Sequence, residues 1–163
     1  RYGADAVTLS PFMGSDSIEP YLKYDGKGLF LLCRTSNPGG DDLQNLALQT
    51  SGGMPAERVY ERIARLAQGP WNRDGRVGLV VGATYPDEIA RVRAIAPTVP
   101  LLIPGVGAQG GDAEATVRAG YRADAPIIVS SSRAVLYAGQ RVDDFQARAR
   151  EMAVLTRAQL APR

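Results

Sequence analysis

Two segments of the chain carry residue types suited to holding an anion. Residues 101–112 read LLIPGVGAQGGD, so an apolar run leads into a loop with four glycines. Glycine destabilises a chain unless the backbone must turn sharply or something must approach it closely. The bare backbone of such a loop can approach a phosphate. In the later segment VSSSRAVLYA, Arg133 can pair with a phosphate through two parallel hydrogen bonds. Together these segments predict a phosphate site.

Each part of this pattern also has a purely structural interpretation. A glycine-rich loop is often only a tight turn, and Arg133 can be a solvent-facing arginine at the start of a helix. Ser36 and Asn37 are turn formers by default. Gln109 is a polar loop residue unless a planar group lies beside it. The phosphate interpretation therefore depends on the loop and Arg133 following neighbouring strands.

The composition excludes several classes of chemistry. The 163 residues include no histidine and one cysteine, Cys33. A Ser-His-Asp triad, a Cys-His pair and an HExxH zinc site are therefore excluded. One cysteine cannot form a zinc cluster or an internal disulfide. A metal site made of carboxylates alone has no motif to support it.

Charge and hydropathy limit the partners. The net charge is +2, and the basic residues are scattered among acids, which argues against a nucleic-acid-binding stripe. No apolar run is long enough to cross a bilayer, so we expect no membrane partner. We expect Cys33 to be a small buried side chain in a strand. A chain with a single cysteine suits a reducing compartment, so we expect a cytoplasmic protein.

Five apolar runs supply the candidate strands. They are near-continuous rather than alternating, which is typical of strands buried on both faces of a parallel sheet. Helical patterns separate them, and this alternation predicts an α/β fold with right-handed crossovers. The candidate strands are 6–10, 28–34, 77–83, 100–104 and 126–130, and the candidate helices are 57–68, 86–96, 112–120 and 143–161.

The helical patterns carry recognisable end signals. Pro86 is placed for a first helical turn, and Asp112 for an N-cap. Gly120 is placed to end its helix as a C′ glycine. Glu61 and Arg65 are four residues apart and are expected to pair along one helix.

Two architectures fit this alternation: an open doubly wound sheet, or part of a (β/α)8 barrel. A complete barrel usually needs about 250 residues, so a barrel implies that this chain supplies roughly five of eight units. In either fold, ligands bind at the carboxyl ends of the strands. The segments 35–42, 84–88, 105–111 and 130–138 would all lie at that edge.

Several motifs occur in an order that resembles the orotidine 5′-phosphate decarboxylase family, in its longer bacterial branch. They are ADAVTLSPFMGSDSIEPYL, RTSNPGGDDLQ, GLVVGATYPDEIARVRAIAP, LLIPGVGAQGGD and VSSSRAVLYA. The resemblance runs over essentially the whole chain. It implies a (β/α)8 barrel, a homodimer with active sites near the subunit interface, and no cofactor or metal. The implied reaction is decarboxylation of orotidine 5′-monophosphate (OMP) to UMP, the last step of de novo pyrimidine synthesis.

The resemblance also implies roles for individual residues. Ser36 matches a serine that hydrogen-bonds the pyrimidine ring, and Gln109 matches a residue that bridges the base edge and the phosphate. Arg133 matches the arginine that holds the phosphate. The full set of expected substrate-binding residues is Ser36, Asn37, Pro104, Gly105, Gln109, Ser132 and Arg133.

The chain departs from the family at one motif. The family's chemistry is carried by an Asp-x-Lys-x-x-Asp motif, whose lysine protonates the C6 carbanion. Neither Lys23 nor Lys27 lies in such a motif, so no catalytic residue is assigned to this chain. We expect residues 1–163 to be the C-terminal part of a single barrel domain, from its fourth strand onward, with the motif upstream of Arg1. By itself this chain is then expected to be inactive.

Two other interpretations remain open. The chain can be a complete, non-catalytic module that binds a nucleotide or phosphate. It can also belong to another phosphate-binding barrel, such as a sugar-phosphate epimerase or aldolase, although the TSN and GAQGGD motifs do not resemble those families. Residues 37–55 can form either a mobile lid or a packed excursion.

Overall fold

The computed structural model describes residues 3–49, 56–107, 109–140 and 143–161. The strands are Ala6–Leu9 (β1), Gly28–Arg34 (β2), Ala47–Leu48 (β3), Glu57–Arg58 (β4), Val77–Val81 (β5), Leu101–Pro104 (β6) and Ile127–Ser130 (β7). The helices are Glu19–Leu22 (α1), Val59–Gln68 (α2), Pro86–Ile95 (α3), Ala113–Gly120 (α4), Ser132–Leu136 (α5) and Phe145–Gln159 (α6). Short 3-10 helices span Gly14–Ser17 and Pro38–Asp42. The five predicted strands and four predicted helices are confirmed, with ends that differ by no more than two residues.

The main sheet is parallel, and its strands follow the order of the chain. The order is β1-β2-β5-β6-β7, while β3 and β4 form a separate antiparallel pair. A doubly wound sheet reverses its order at a switch point, and this sheet does not. Helix α2 contacts α3, and α3 contacts α4, as expected of one helical layer along one face. This is the arrangement of a (β/α)8 barrel, of which the chain forms a part, and the doubly wound alternative is wrong.

The core lies between the sheet and this helical layer. Leu31, Leu79 and Leu101 are fully buried, as are Ile89 and Val92 of α3. Burying each such side chain contributes about 1.5–3 kcal/mol. The expectation that every strand is buried on both faces holds for β5 but not for β1 or β7, both of which have exposed residues. These two strands pair on one side only in the described sheet.

The end signals of α4 are half confirmed. The Asp112 carboxylate accepts a hydrogen bond from the backbone N–H of Ala115 at 2.7 Å, so Asp112 is the N-cap. Gly120 is not a C′ glycine, because it is the last residue of the helix and its φ is not positive. A Cβ atom there would lie 3.1 Å from methyl groups of both Ile103 and Ile89. Close packing of α4 on the sheet and α3, rather than helix termination, explains this glycine.

The expected pair between Glu61 and Arg65 does not form. Glu61 is buried, and its carboxylate accepts hydrogen bonds from the side chain of Arg91 at 2.5 Å and the backbone N–H of Arg58 at 2.7 Å. Arg65 instead pairs with Glu57 at 3.0 Å. Burial alone would raise the pKa of Glu61, but the hydrogen bonds from Arg91 and Arg58 hold it below its usual range. A partner on a neighbouring helix has replaced the one on the same helix.

Two features of the described residues bear on membranes and metals. None of the helices in the described part of the chain combines the length and apolar character that a bilayer crossing requires. Within the same residues, no three or more Asp, Glu or Cys side chains are grouped so that they could hold a metal ion.

Candidate active site

The loops after β5, β6 and β7 meet at the carboxyl edge of the sheet and are joined by hydrogen bonds. The backbone N–H of Ala83 donates to the carbonyl of Pro104 at 2.9 Å. The Ser131 hydroxyl donates to the carbonyl of Val106 at 3.0 Å. The glycine-rich loop is thus held from both sides, and groups on it keep a defined position relative to the neighbouring strands.

Two glycines of this loop are required by the protein's own packing. Gly105 has a φ of +103°, a conformation that other residues rarely adopt, and a Cβ there would lie 3.0 Å from the Gln109 side-chain oxygen. A Cβ on Gly111 would lie only 2.5 Å from that of Ala83. We expected the glycines to make room for a phosphate. At these two positions the space beside the glycine is filled by Gln109 and by Ala83, in the loop after β5, so the glycines shape the loop that carries the site.

Ser36 and Gln109 lie together, although 73 residues separate them in the sequence. The Ser36 hydroxyl donates to Oε1 of Gln109 at 2.6 Å. Because Oε1 is the acceptor, the Gln109 amide keeps both of its N–H donors for another group. The two side chains expected to contact a pyrimidine are therefore side by side, one after β2 and one after β6.

A small cavity lies beside Gln109 at the ends of β6 and β7. Its volume is about 70 Å³, and it is lined by Pro104, Gly105, Val106, Gln109, Ser130, Ser132 and Arg133. Five of the seven expected site residues are in this lining. Pockets that bury a whole ligand usually have about 300 Å³ or more, so this cavity suits one end of a ligand.

Arg133 supplies the positive charge of this cavity. The residue is exposed, and its side chain makes no hydrogen bond or ion pair with any described residue. Ser132, also exposed, precedes it at the start of α5. An uncommitted guanidinium beside two amide donors can bind an anionic group through charge-assisted hydrogen bonds.

Asn37 lies apart from this cavity. Its side-chain oxygen accepts a hydrogen bond from the Thr35 hydroxyl at 2.6 Å, and its backbone begins the 3-10 helix Pro38–Asp42. The structure thus brings Ser36 to Gln109 but does not place Asn37 in the lining of the cavity. A substrate-binding role for Asn37 stays a prediction.

A buried arginine beneath this site was not assigned any role from the sequence. Arg34 ends β2 and is 1 % exposed. Its Nε donates to Glu88 at 2.5 Å and its Nη2 to Asp41 at 2.7 Å, and its guanidinium lies 4.4 Å from the ring centroid of Tyr85. Burial would lower the pKa of Arg34, but the hydrogen bond to Glu88 and the nearby carboxylates raise it above its ordinary value. The signal in the sequence was a charged residue closing the apolar run GLFLLCR.

The excursion after β2 is packed where the structure describes it. The Gln44 side chain accepts from the Thr35 backbone N–H at 2.8 Å and donates to the Thr35 hydroxyl at 2.9 Å. The carbonyls of Gln44 and Leu46 accept from the backbone N–H groups of Tyr60 and Val59, at the start of α2. Over residues 37–49 these contacts support the packed-excursion interpretation, while 50–55 lie outside the described residues. No spacing in the sequence indicates these contacts.

Comparison with known proteins identifies the family. The sequence model described as "Orotidine 5'-phosphate decarboxylase / HUMPS family" matches residues 1–147. The chain belongs to this family. Two named orotidine 5′-phosphate decarboxylases are similar to it. The one from Polaromonas naphthalenivorans is 73 % identical over 157 residues, and the one from Verminephrobacter eiseniae is 71 % identical over 160 residues.

The similarity covers this chain far more fully than it covers the relatives. It spans 96 % and 98 % of the chain but 55 % and 57 % of the two decarboxylases, so the chain spans little more than half their length. The solved structure of Leishmania donovani OMP decarboxylase is 43 % identical, with a TM-score of 0.76 over 98 % of this chain and 58 % of that one. The orotidine 5′-phosphate decarboxylase family thus accounts for nearly every described element, including the carboxyl-edge loops.

Proposed function

We propose that the protein carrying this chain decarboxylates OMP to UMP, and that these residues supply its substrate-binding part. The arrangement that carries the proposal is Ser36 bonded to Gln109 beside the cavity that Arg133 lines. The named relatives at 73 % and 71 % identity support it. In this reaction the bond between C6 and the carboxylate breaks, CO2 leaves with no change of redox state, and a proton replaces it on C6.

The site residues have separable roles in this proposal. The Arg133 guanidinium and the Gln109 amide bind the phosphate, and Ser36 with Gln109 orients the pyrimidine. Binding energy from a phosphate remote from C6 accelerates the reaction where it is realised in the transition state. Changes at Arg133 should therefore lower the rate as well as the affinity.

The lysine that delivers the proton to C6 is proposed to lie outside these 163 residues. Lys27 pairs with Asp5 at 3.3 Å, and the two residues precede β2 and β1 at the amino edge, opposite the cavity. Lys23 follows α1 and also precedes β2. With about half of the relatives' length in this chain, we propose that it is the C-terminal part of one barrel and that an upstream Asp-x-Lys-x-x-Asp motif supplies the lysine. We also propose that the whole protein needs no metal or cofactor and is a cytoplasmic homodimer.

The first experiment is an OMP turnover assay followed by ultraviolet absorbance. The protein that carries this chain is expected to turn OMP over without added metal or cofactor. Residues 1–163 alone are expected not to. Binding of UMP without turnover by the whole protein would contradict the decarboxylase and favour the non-catalytic binding module.

The phosphate role is tested by comparing two exposed arginines. Arg133→Ala is expected to lower kcat/KM roughly 10- to 100-fold, because a charge-assisted pair is worth about 1.5–3 kcal/mol. Arg122→Ala is the matched control, because Arg122 lies at the amino edge and pairs with Asp124 at 3.0 Å. It should change kcat/KM less than about twofold. Equal effects from the two variants would contradict the assignment.

A further inference from the structure

Arg34 lies directly beneath the loop that carries Ser36, at an irregularity in β2. Leu32 pairs with Val80 of β5, whereas Arg34 pairs with the next residue, Val81, so the register shifts between them. Regular alternation would place Arg34 on the same face as Leu32, which is 36 % exposed. A bulge re-aims the side chains of a strand, and Arg34 is instead almost fully buried.

The Arg34 guanidinium joins two segments at the carboxyl edge of the sheet. Asp41 lies in the excursion after β2, and Glu88 lies in the first turn of α3 after β5. Each carboxylate accepts from a different nitrogen, at 2.7 Å and 2.5 Å. A planar guanidinium can hold two such acceptors at once, whereas a lysine ammonium is a single point charge on a flexible stem. The pairing therefore fixes the distance between the excursion and the start of α3.

The same contacts fix the residue before Ser36. The Thr35 carbonyl accepts from Nη1 of Arg34 at 3.4 Å, and the Thr35 N–H donates to Gln44 at 2.8 Å. Gln44 lies in the excursion that Arg34 holds through Asp41. Both polar groups of the Thr35 backbone are thus committed, which leaves Ser36 little freedom relative to Gln109.

We propose that Arg34 is a positioning residue. It holds Ser36 where the Ser36 hydroxyl bonds to Gln109, and it thereby affects how the site binds and orients its substrate. Arg34 acts through Asp41, Thr35 and Gln44 and does not itself line the cavity. The expected effect of Arg34 on kcat/KM for OMP rests on the proposed decarboxylase function. Its effect on the position of Thr35 and Ser36 does not depend on that function.

The first test is amide hydrogen exchange in the protein that carries this chain. Arg34→Lys is expected to accelerate exchange at Thr35 and Gln44 by about tenfold or more, because their protection depends on the excursion staying in place. Arg93→Lys is the matched control, because Arg93 is also buried but bonds to carbonyls at the opposite edge. It should leave the exchange rates at Thr35 and Gln44 unchanged. Unchanged protection in Arg34→Lys would overturn the proposal, whether or not the protein turns OMP over.

The second test is a double-mutant cycle on kcat/KM for OMP. Arg34→Lys should lower kcat/KM about tenfold in the otherwise unaltered protein, but less than about twofold in the Ser36→Ala background. Both changes remove the same feature, a Ser36 hydroxyl held beside Gln109, so their effects should not add. Asp41→Asn, at a half-exposed carboxylate, should show the same coupling while leaving the buried arginine and its bond to Glu88 in place. Effects that multiply fully would overturn the proposal. Absence of turnover in the unaltered protein would instead contradict the decarboxylase function.

Discussion

Arg34 and Arg93 are both buried, but they bond to different kinds of acceptor at opposite edges of the sheet. Arg34 pairs with two carboxylates at the carboxyl edge. Arg93, at the amino edge, donates to carbonyls, among them those of Gly120 at 2.9 Å and Val99 at 2.7 Å. Burial lowers the pKa of Arg93, whereas the carboxylates around Arg34 outweigh burial and raise its pKa.

The difference reflects what each edge has to hold. The partners of Arg93 are carbonyls at the ends of α3 and α4 and just before β6, which regular structure leaves unpaired. The partners of Arg34 are carboxylate side chains, one on the 3-10 helix Pro38–Asp42 and one in the first turn of α3, and no backbone pairing joins these two described segments. The amino edge thus uses an arginine to complete the fold, and the carboxyl edge uses one to place a site. The predictions below test this division.

The largest expected effect on stability is at Arg93. Arg93→Met should lower the free energy of unfolding by about 3 kcal/mol, because several buried carbonyls lose their donor together. The midpoint and slope of a urea titration together give the free energy of unfolding. The value of kcat/KM per folded molecule should not change. Arg122→Met, at an exposed ion pair, is the control and should leave the free energy of unfolding nearly unchanged. A loss of activity in folded Arg93→Met would contradict the claim that the arginine at the amino edge serves stability alone.

A medium effect is expected in the glycine-rich loop. Gly111→Ala should destabilise the protein by about 1–3 kcal/mol and weaken UMP binding, because the new methyl group meets Ala83 and the loop must move. Gly110→Ala is the neighbouring control: no atom lies within 4 Å of its Cβ position, although its φ is +87°. It should cost about 1 kcal/mol of backbone strain and leave UMP affinity unchanged. Calorimetric UMP titration distinguishes the variants, and equal affinities would show that the loop position is not critical.

The smallest effect concerns Glu61, which joins α2 to α3. Its pKa is lower folded than unfolded, so it stabilises the protein above the ordinary glutamate range, and this stabilisation is lost as pH falls through the lowered pKa. Glu61→Gln should therefore cost about 1 kcal/mol at pH 7 and progressively less below about pH 4. Unfolding curves across that pH range test the sign. A difference between the two proteins that grows towards acid pH would contradict it.

Local patterns predicted the elements and the ends that depend on local contacts. The strands follow from their apolar runs, and Asp112 caps α4 because its carboxylate bonds three residues ahead. Ser36 and Gln109 were expected at one edge because the carboxyl ends of parallel strands meet there. The predictions for Gly120 and Glu61 were wrong, because the contacts that determine their roles are made with a helix or strand far away in the sequence. Arg34 was missed for the same reason, since Glu88 is 54 residues from it.

The way the excursion covers the start of α2 has a consequence for ligand orientation. The first N–H groups of a helix carry partial positive charge and attract anions. In α2 the N–H groups of Val59 and Tyr60 are already occupied by the carbonyls of Leu46 and Gln44. Because those two donors are already paired, the start of α2 offers neither of them to an anion, and under the proposed function the negative end of the nucleotide is expected to bind at Arg133 instead. By occupying these donors, the excursion removes one place at the carboxyl edge where a phosphate could otherwise bind.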